Sequence, residues 1–241
     1  MATDAIVQKI AKDFRANINS NTNIRSLQKK LRNNSATYKD ANKYAMEVSK
    51  SLNNALATNL ADDVLTTAEY RAVIAEVLPS GLEATYGTVS NYTKNVQIIL
   101  NKKAEINLKA IVSKIDGGAI TLTTKNAVQA AAYSEASGII NHDTMNFAQN
   151  ITARMMKDNA GFQKNVGYTV KVERTYDDVG LHNGTLECKF CKEREGEFDY
   201  DTALEQGVFA RHPGCGCTII YTAEKGPQLQ TEWEHNVWEN L

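Results

Sequence analysis

Through the first hundred positions, apolar residues recur every three or four places. Ile6, Val7, Ile10 and Phe14 share one side of a helix. Ile24, Leu27 and Leu31 continue that stripe after the Asn-rich break Asn17-Ile18-Asn19-Ser20-Asn21. Met46, Leu52, Leu56 and Leu60 mark a further helix. Thr66 or Thr67 is placed to cap one carrying Tyr70, Val73, Ile74 and Val77, with Pro79 expected to interrupt it. Leu82, Tyr86, Val89, Val96, Ile99 and Leu100 predict one or two more helical runs reaching about residue 103. Stripes of this kind predict the core of a helix bundle.

The pattern changes at Asp116-Gly117-Gly118, a turn signal. Residues 119–122 read as a short β-like stretch, and Thr123 or Thr124 as the cap of the Ala-rich run 126–137. Residues 143–158 predict another helix, with Met145, Phe147, Ile151 and Met155 near one face and Asn159-Ala160-Gly161 ending it. Residues 168–174 alternate as a strand does, and Thr218-Ile219-Ile220-Tyr221 predicts a second strand. The expected fold is a mainly α N-terminal body with a small α+β C-terminal region that carries all four cysteines. Its expected divisions are residues 1–118, 119–225 and a tail helix over 226–241. Leu229, Trp233 and Val237 recur along that tail at four-residue spacing, with Trp238 and Leu241 nearby. This pattern suits an anchor for a partner or for the body itself.

Composition adds limits. The chain has 241 residues, of which only three are proline, which favours long helices. No run approaches the ~20 apolar residues that a membrane span requires, so no membrane association of its own is expected. Met1-Ala2-Thr3-Asp4 shows no basic start leading into an apolar run, so no secretory signal is expected. The net charge of -1 conceals a gradient. Residues 1–50 carry ten Lys/Arg against four Asp/Glu, whereas residues 171–241 carry seven against fourteen. A basic end and an acidic end suit different partners. Lys9, Lys12, Arg15, Arg25, Lys29, Lys30 and Arg32 are the candidate contacts for DNA phosphates or an acidic surface. A solvated helix face is the plainer account of them.

All four cysteines lie between positions 188 and 217. Cys188-Lys189-Phe190-Cys191 is followed, twenty residues later, by His212-Pro213-Gly214-Cys215-Gly216-Cys217. Two thiolates two residues apart reach one ion from a tight knuckle, and a second knuckle completes a tetrahedron. Five donors (Cys188, Cys191, His212, Cys215 and Cys217) compete for four places. His212 and Cys215 repeat the gap of the first pair, so Cys188, Cys191, His212 and Cys215 are the favoured set. The choice between His212 and Cys217 stays open. A full donor set points to one structural zinc, since a catalytic site keeps a position for water. Reduced cysteines without an ion, or a redox pair, are the alternatives. A redox pair calls for a thioredoxin-like context that the pattern does not show.

Residues 172–221 resemble the C-terminal region of the Mu F-like head-morphogenesis family of phage minor head proteins. The features that carry the likeness are Val172-Glu173-Arg174-Thr175-Tyr176-Asp177-Asp178, the Cys188/Cys191 pair with Glu195-Gly196 after it, and His212-Pro213-Gly214-Cys215-Gly216-Cys217 leading into a strand. The likeness covers about fifty residues, a fifth of the chain. It implies a virion protein assembled in a bacterial host, present in few copies near the portal vertex. The implied partners are the portal or the major capsid protein, and the implied roles are head assembly and genome packaging or ejection. Some relatives carry an enzymatic extension after this motif. About twenty residues follow it here, so no enzymatic role is expected.

The competing reading is a zinc-dependent nuclease or another nucleic-acid-processing enzyme. Asp177, Asp178 and His182 are the raw material for an activated water. They sit among turn formers, which favours a surface loop. A host zinc-ribbon adaptor is a third reading. Neither a phosphate loop with its lysine nor a G-x-S-x-G elbow occurs.

Overall fold

A computed structural model describes residues 2–60, 65–131, 136–176, 189–212, 215 and 217–225. Six long helices come first: α1 (Ala2–Ser20), α2 (Thr22–Arg32), α3 (Tyr38–Leu60), α4 (Thr67–Lys103), α5 (Gly117–Ala130) and α6 (Ala136–Asn165). Then follow β1 (Tyr168–Thr175), α7 (Lys189–Lys192), β2 (Gly196–Asp199), α8 (Tyr200–Glu205) and β3 (Thr218–Lys225). The protein is therefore mainly α, with a small antiparallel sheet near its C-terminal end.

The helix starts are written in polar side chains. Asn21 stops α1 and caps α2 by accepting from the Ile24 N–H at 3.0 Å. Thr66 and Glu69 form a reciprocal capping box at α4. α3 lies at the centre, packed on α1, α4 and α6.

Three expectations fail, each for a tertiary reason. Pro79 does not interrupt α4, which runs 37 residues through it. An interior proline costs roughly 3 kcal/mol. Val73, Ile74, Val77, Leu78 and Leu82 around it are buried, and each contributes about 1.5–3 kcal/mol. Continuity wins that balance. The Ser80 hydroxyl donates to the Val77 carbonyl beside the break. Residues 119–122 are helical rather than β-like, and neither Thr123 nor Thr124 is a cap. Asp116 caps α5 instead, accepting from the Ala119 N–H at 3.0 Å. The inward face of α5 is Ile120, Thr123, Ala127 and Ala130, too poor in large apolar groups to show as a stripe. Asn159-Ala160-Gly161 does not end α6. Asn159 is buried and donates to the carbonyls of Met155 and Ile111, while accepting from the Ile111 N–H. It thereby holds the connection 104–116 against the helix. Gly161 leaves room for the Tyr200 ring, which a Cβ there would strike.

The sheet order is β2-β1-β3. Val170, Val172 and Arg174 point inward from β1, so an arginine takes a place the alternation reserves for a core residue. Arg174 faces Gly196 on one side and Ile219 on the other. α8 ends in a Schellman turn. Gly207 adopts φ 64, its N–H bonds to Leu204, and the Val208 N–H bonds to Ala203. That turn aims the carbonyls of Val208 and Ala210 back at Arg174. One continuous buried cluster runs from Ile10 in α1 to Ile219 in β3.

Candidate metal centre

Two short hooks meet at the end of the sheet. The first is α7, which presents Cys191. The Glu193 N–H closes on the Lys189 carbonyl, and the Arg194 N–H on the Cys191 carbonyl. The second is a turn in which the Cys215 N–H bonds to the His212 carbonyl at 3.1 Å. β3 begins directly after Cys217 and fixes that side chain in turn.

The thiols of Cys191, Cys215 and Cys217 are buried and lie within 4.8 Å of one another. Cys191 Sγ and Cys215 Sγ stand 3.7 Å apart. A disulfide needs about 2.05 Å, so these are contacting thiols and not an oxidised pair. Metal–sulfur bonds of about 2.3 Å in a tetrahedron hold two sulfurs about 3.8 Å apart. The cluster could hold a metal ion with little movement. His212 Nε2 is 2.8 Å from Cys191 Sγ, a hydrogen-bond separation. Nitrogen and sulfur bound to one tetrahedral ion sit about 3.6 Å apart, so coordination by His212 requires a small retreat.

The surroundings are cationic. Arg174 is fully buried, and its Nη1 donates to the carbonyls of Val208 and Ala210, both at 2.7 Å. Its Nη2 donates to Cys191 Sγ at 3.3 Å and Cys215 Sγ at 3.6 Å. Arg211 is buried too, donating to the Cys217 carbonyl at 3.0 Å, with Cys215 Sγ 3.9 Å away. Arg194 stacks 3.9 Å from the Phe190 ring centre, and that ring meets His212 edge-on. The hydrogen bond with Cys217 draws the Cys215 thiol well below its ordinary range despite burial, with Arg211 and Arg174 adding their charge. The same bond, together with burial, pushes Cys217 upward. Burial works against the charge of Arg174, but the sulfurs of Cys215, Cys217 and Cys191 outweigh it and raise its pKa. The site is tied to the body through Gln149 of α6, whose side-chain amide donates to the Cys215 carbonyl at 2.8 Å.

Of the residues singled out in the sequence, Cys191, His212, Cys215 and Cys217 come together. Cys188 lies outside the described residues, as do Asp177, Asp178, His182 and the tail 226–241. The structure places Cys217 Sγ within 4.8 Å of both other thiols. The sequence pattern placed Arg174 in the strand but gave neither it nor Arg211 a role at the site. Their signals were an arginine in phase with Val170 and Val172, and one immediately before His212.

At the other end, Lys9, Lys12, Arg15, Arg25, Lys29, Lys30 and Arg32 are all exposed. Arg25, Lys29 and Arg32 recur at four- and three-residue spacing and share one face of α2, away from buried Ile24 and Leu27. Lys30 is paired with Asp40 at 2.6 Å. His142 is exposed near the start of α6 and lies beside Asp143. A groove of about 600 Å³ runs between α5, α6 and α8, with Phe147, Ile151 and Phe209 inside and Leu122 and Leu204 on its rim. No helix among the described residues is long and apolar enough to cross a membrane. Set against protein-family models, curated proteins and solved structures, the chain has no match.

Proposed function

We propose that the chain is a structural component of a phage head, of the Mu F-like head-morphogenesis kind, whose C-terminal end is locked by one zinc ion. The observation that carries this reading is the meeting of Cys191 with Cys215 and Cys217 from the two halves of the signature. Soft thiolate donors in a buried cluster suit zinc, and a closed tetrahedron suits a structural role. Cys191, Cys215 and Cys217 would hold the ion, with His212 or Cys188 as the fourth donor. Bound zinc supplies cross-linking of the two hooks and no chemistry on a substrate.

In this reading the basic faces of α1 and α2 meet packaged DNA, and the apolar groove beside α5 and α8 meets the portal or the major capsid protein. A contact with DNA made by Arg25, Lys29 and Arg32 is nonspecific and salt-dependent. Replacing all three with Gln should weaken gel retardation of duplex DNA at low salt, lower its salt dependence and leave the fold unchanged. The function itself is tested by asymmetric imaging of the portal vertex in particles that contain the chain, together with elemental analysis of the purified protein. A few ordered copies at that vertex and one zinc per chain are expected. Absence of the chain from particles that package normally would remove the proposal.

A further inference from the structure

A fully buried guanidinium needs a counter-charge, because leaving it uncompensated costs several kcal/mol. Arg174 has no carboxylate partner among the described residues. Its Nη1 is held by two neutral carbonyls, and its Nε is buried without a hydrogen-bond partner. The groups left to balance it are the sulfurs it touches. The arrangement is also rigid. β1 fixes the arginine between Gly196 and Ile219, and the Schellman turn at Gly207 fixes the carbonyls that hold its Nη1. The outer nitrogen, Nη2, therefore reaches both hooks at once, with Cys191 on the first and Cys215 on the second.

We infer that Arg174 is a positioning residue of the metal centre, donating hydrogen bonds to Cys191 and Cys215 and carrying the counter-charge of a thiolate-rich ion complex. With His212 as the fourth donor, three thiolates around a divalent ion leave one net negative charge, and the guanidinium in contact with two of the sulfurs cancels it; with Cys188 it offsets one of two. Arg211 lies one shell further out, since its main bond is to the Cys217 carbonyl and its approach to sulfur is longer. Residues that bond to metal ligands in this way typically govern affinity by 10–100-fold. The inference rests on the zinc reading above, and the test separates the two.

The experiment uses the full-length chain as wild type, Arg174→Met and Arg174→Lys. Zinc affinity is read by competition with a chromophoric chelator, and the sulfur-to-cobalt charge-transfer bands are recorded after replacing zinc with cobalt. Arg174→Met should weaken zinc binding about tenfold or more and shift the cobalt bands, because the N–H···S bonds are lost. Arg174→Lys should recover part of the affinity by restoring the charge, with the bands still displaced. A folded Arg174→Met protein with wild-type affinity and an unchanged cobalt spectrum overturns the inference and leaves the zinc reading standing. If the Met variant does not fold, unchanged bands in Arg174→Lys overturn it instead. Wild-type protein that binds neither zinc nor cobalt overturns the zinc reading, and this inference with it.

Discussion

α3 and the segment from Lys189 to Cys217 both lie inside the protein, yet they are surrounded by different materials. Around α3 the interior is Val48, Leu52, Leu56, Ile74, Leu78 and similar groups. Midway along it the buried polar residues have neutral partners: Thr144 donates to Asn53 and Ser49 donates to Thr144. Charged partners come only towards its ends, Lys30 for Asp40 and Asp13 for Asn59. Around Cys191 the interior is two further thiols, with Tyr176 and Phe190 packed beside them and two guanidiniums among them. The first interior is stabilised by removing apolar surface from water, which needs no further component. The second concentrates charge in a place of low dielectric, and in the zinc-bound form proposed above an ion completes its balance. On that proposal one chain holds a self-sufficient half and a conditional one.

The largest expected effect breaks the conditional half alone. In the proposed zinc-bound form, chelation or Cys191→Ser removes an ion whose binding is worth on the order of 10 kcal/mol of local order. Amide exchange across residues 165–225 should accelerate sharply, while α1 to α4 keep their protection and most of the helical circular dichroism remains. Loss of the whole fold on chelation would erase the distinction drawn here. The reciprocal change comes next. Leu78→Ala opens a cavity in the body and should cost about 2–5 kcal/mol in urea unfolding. Zinc stoichiometry should stay at one per folded chain.

Gln149 is the bolt between the halves, and it sharpens the comparison. Gln149→Ala leaves the Cys215 carbonyl without its donor, at a cost of roughly 1–3 kcal/mol. The thermal midpoints of body and metal site, followed by circular dichroism and cobalt absorbance, should separate in this variant. The smallest effect belongs to the body. Asp40 accepts from both the backbone N–H and the hydroxyl of Thr37 and pairs with Lys30. Burial would raise its pKa, but the bonds from Lys30 and Thr37 together outweigh that and lower it. A lowered folded pKa means stability that is fully present above the unfolded value, near 3.9, and is lost as pH falls through the folded one. Asp40→Asn should cost about 1 kcal/mol at pH 7 and flatten the acid limb of the stability curve, read by urea titration between pH 2 and 6.

The stripes at Ile10/Phe14, Ile24/Leu27 and Leu52/Leu56 were legible because aliphatic residues alone cover those faces. α5 was not, because two alanines and a threonine line its inner side, and short-range reading scores them as neutral. Pro79 and Asn159 misled for a shared reason. Each breaks a local rule that is compensated by groups far away in sequence, such as the Ile111 backbone for Asn159. At the cysteine cluster, Cys191, His212, Cys215 and Cys217 could be picked out by their spacing. Arg174 could not, since nothing in a single sequence separates a buried arginine from an exposed one except its phase along the strand. β2 and α8 also escaped notice. They are four and six residues long, and they exist because β1 and α6 give them something to pack on.

The side-chain amide of Asn159 does for Ile111 what a neighbouring peptide group would do in a sheet, serving its N–H and its carbonyl together. Ser113 is secured the same way, with Asp158 on its hydroxyl and Tyr86 on its carbonyl. Asn101 of α4 holds the Leu108 carbonyl as well, so the crossing from α4 to α5 is riveted at three points rather than laced along its length. A one-residue insertion between Ile111 and Ser113 would therefore throw the rivets at those two residues out of line.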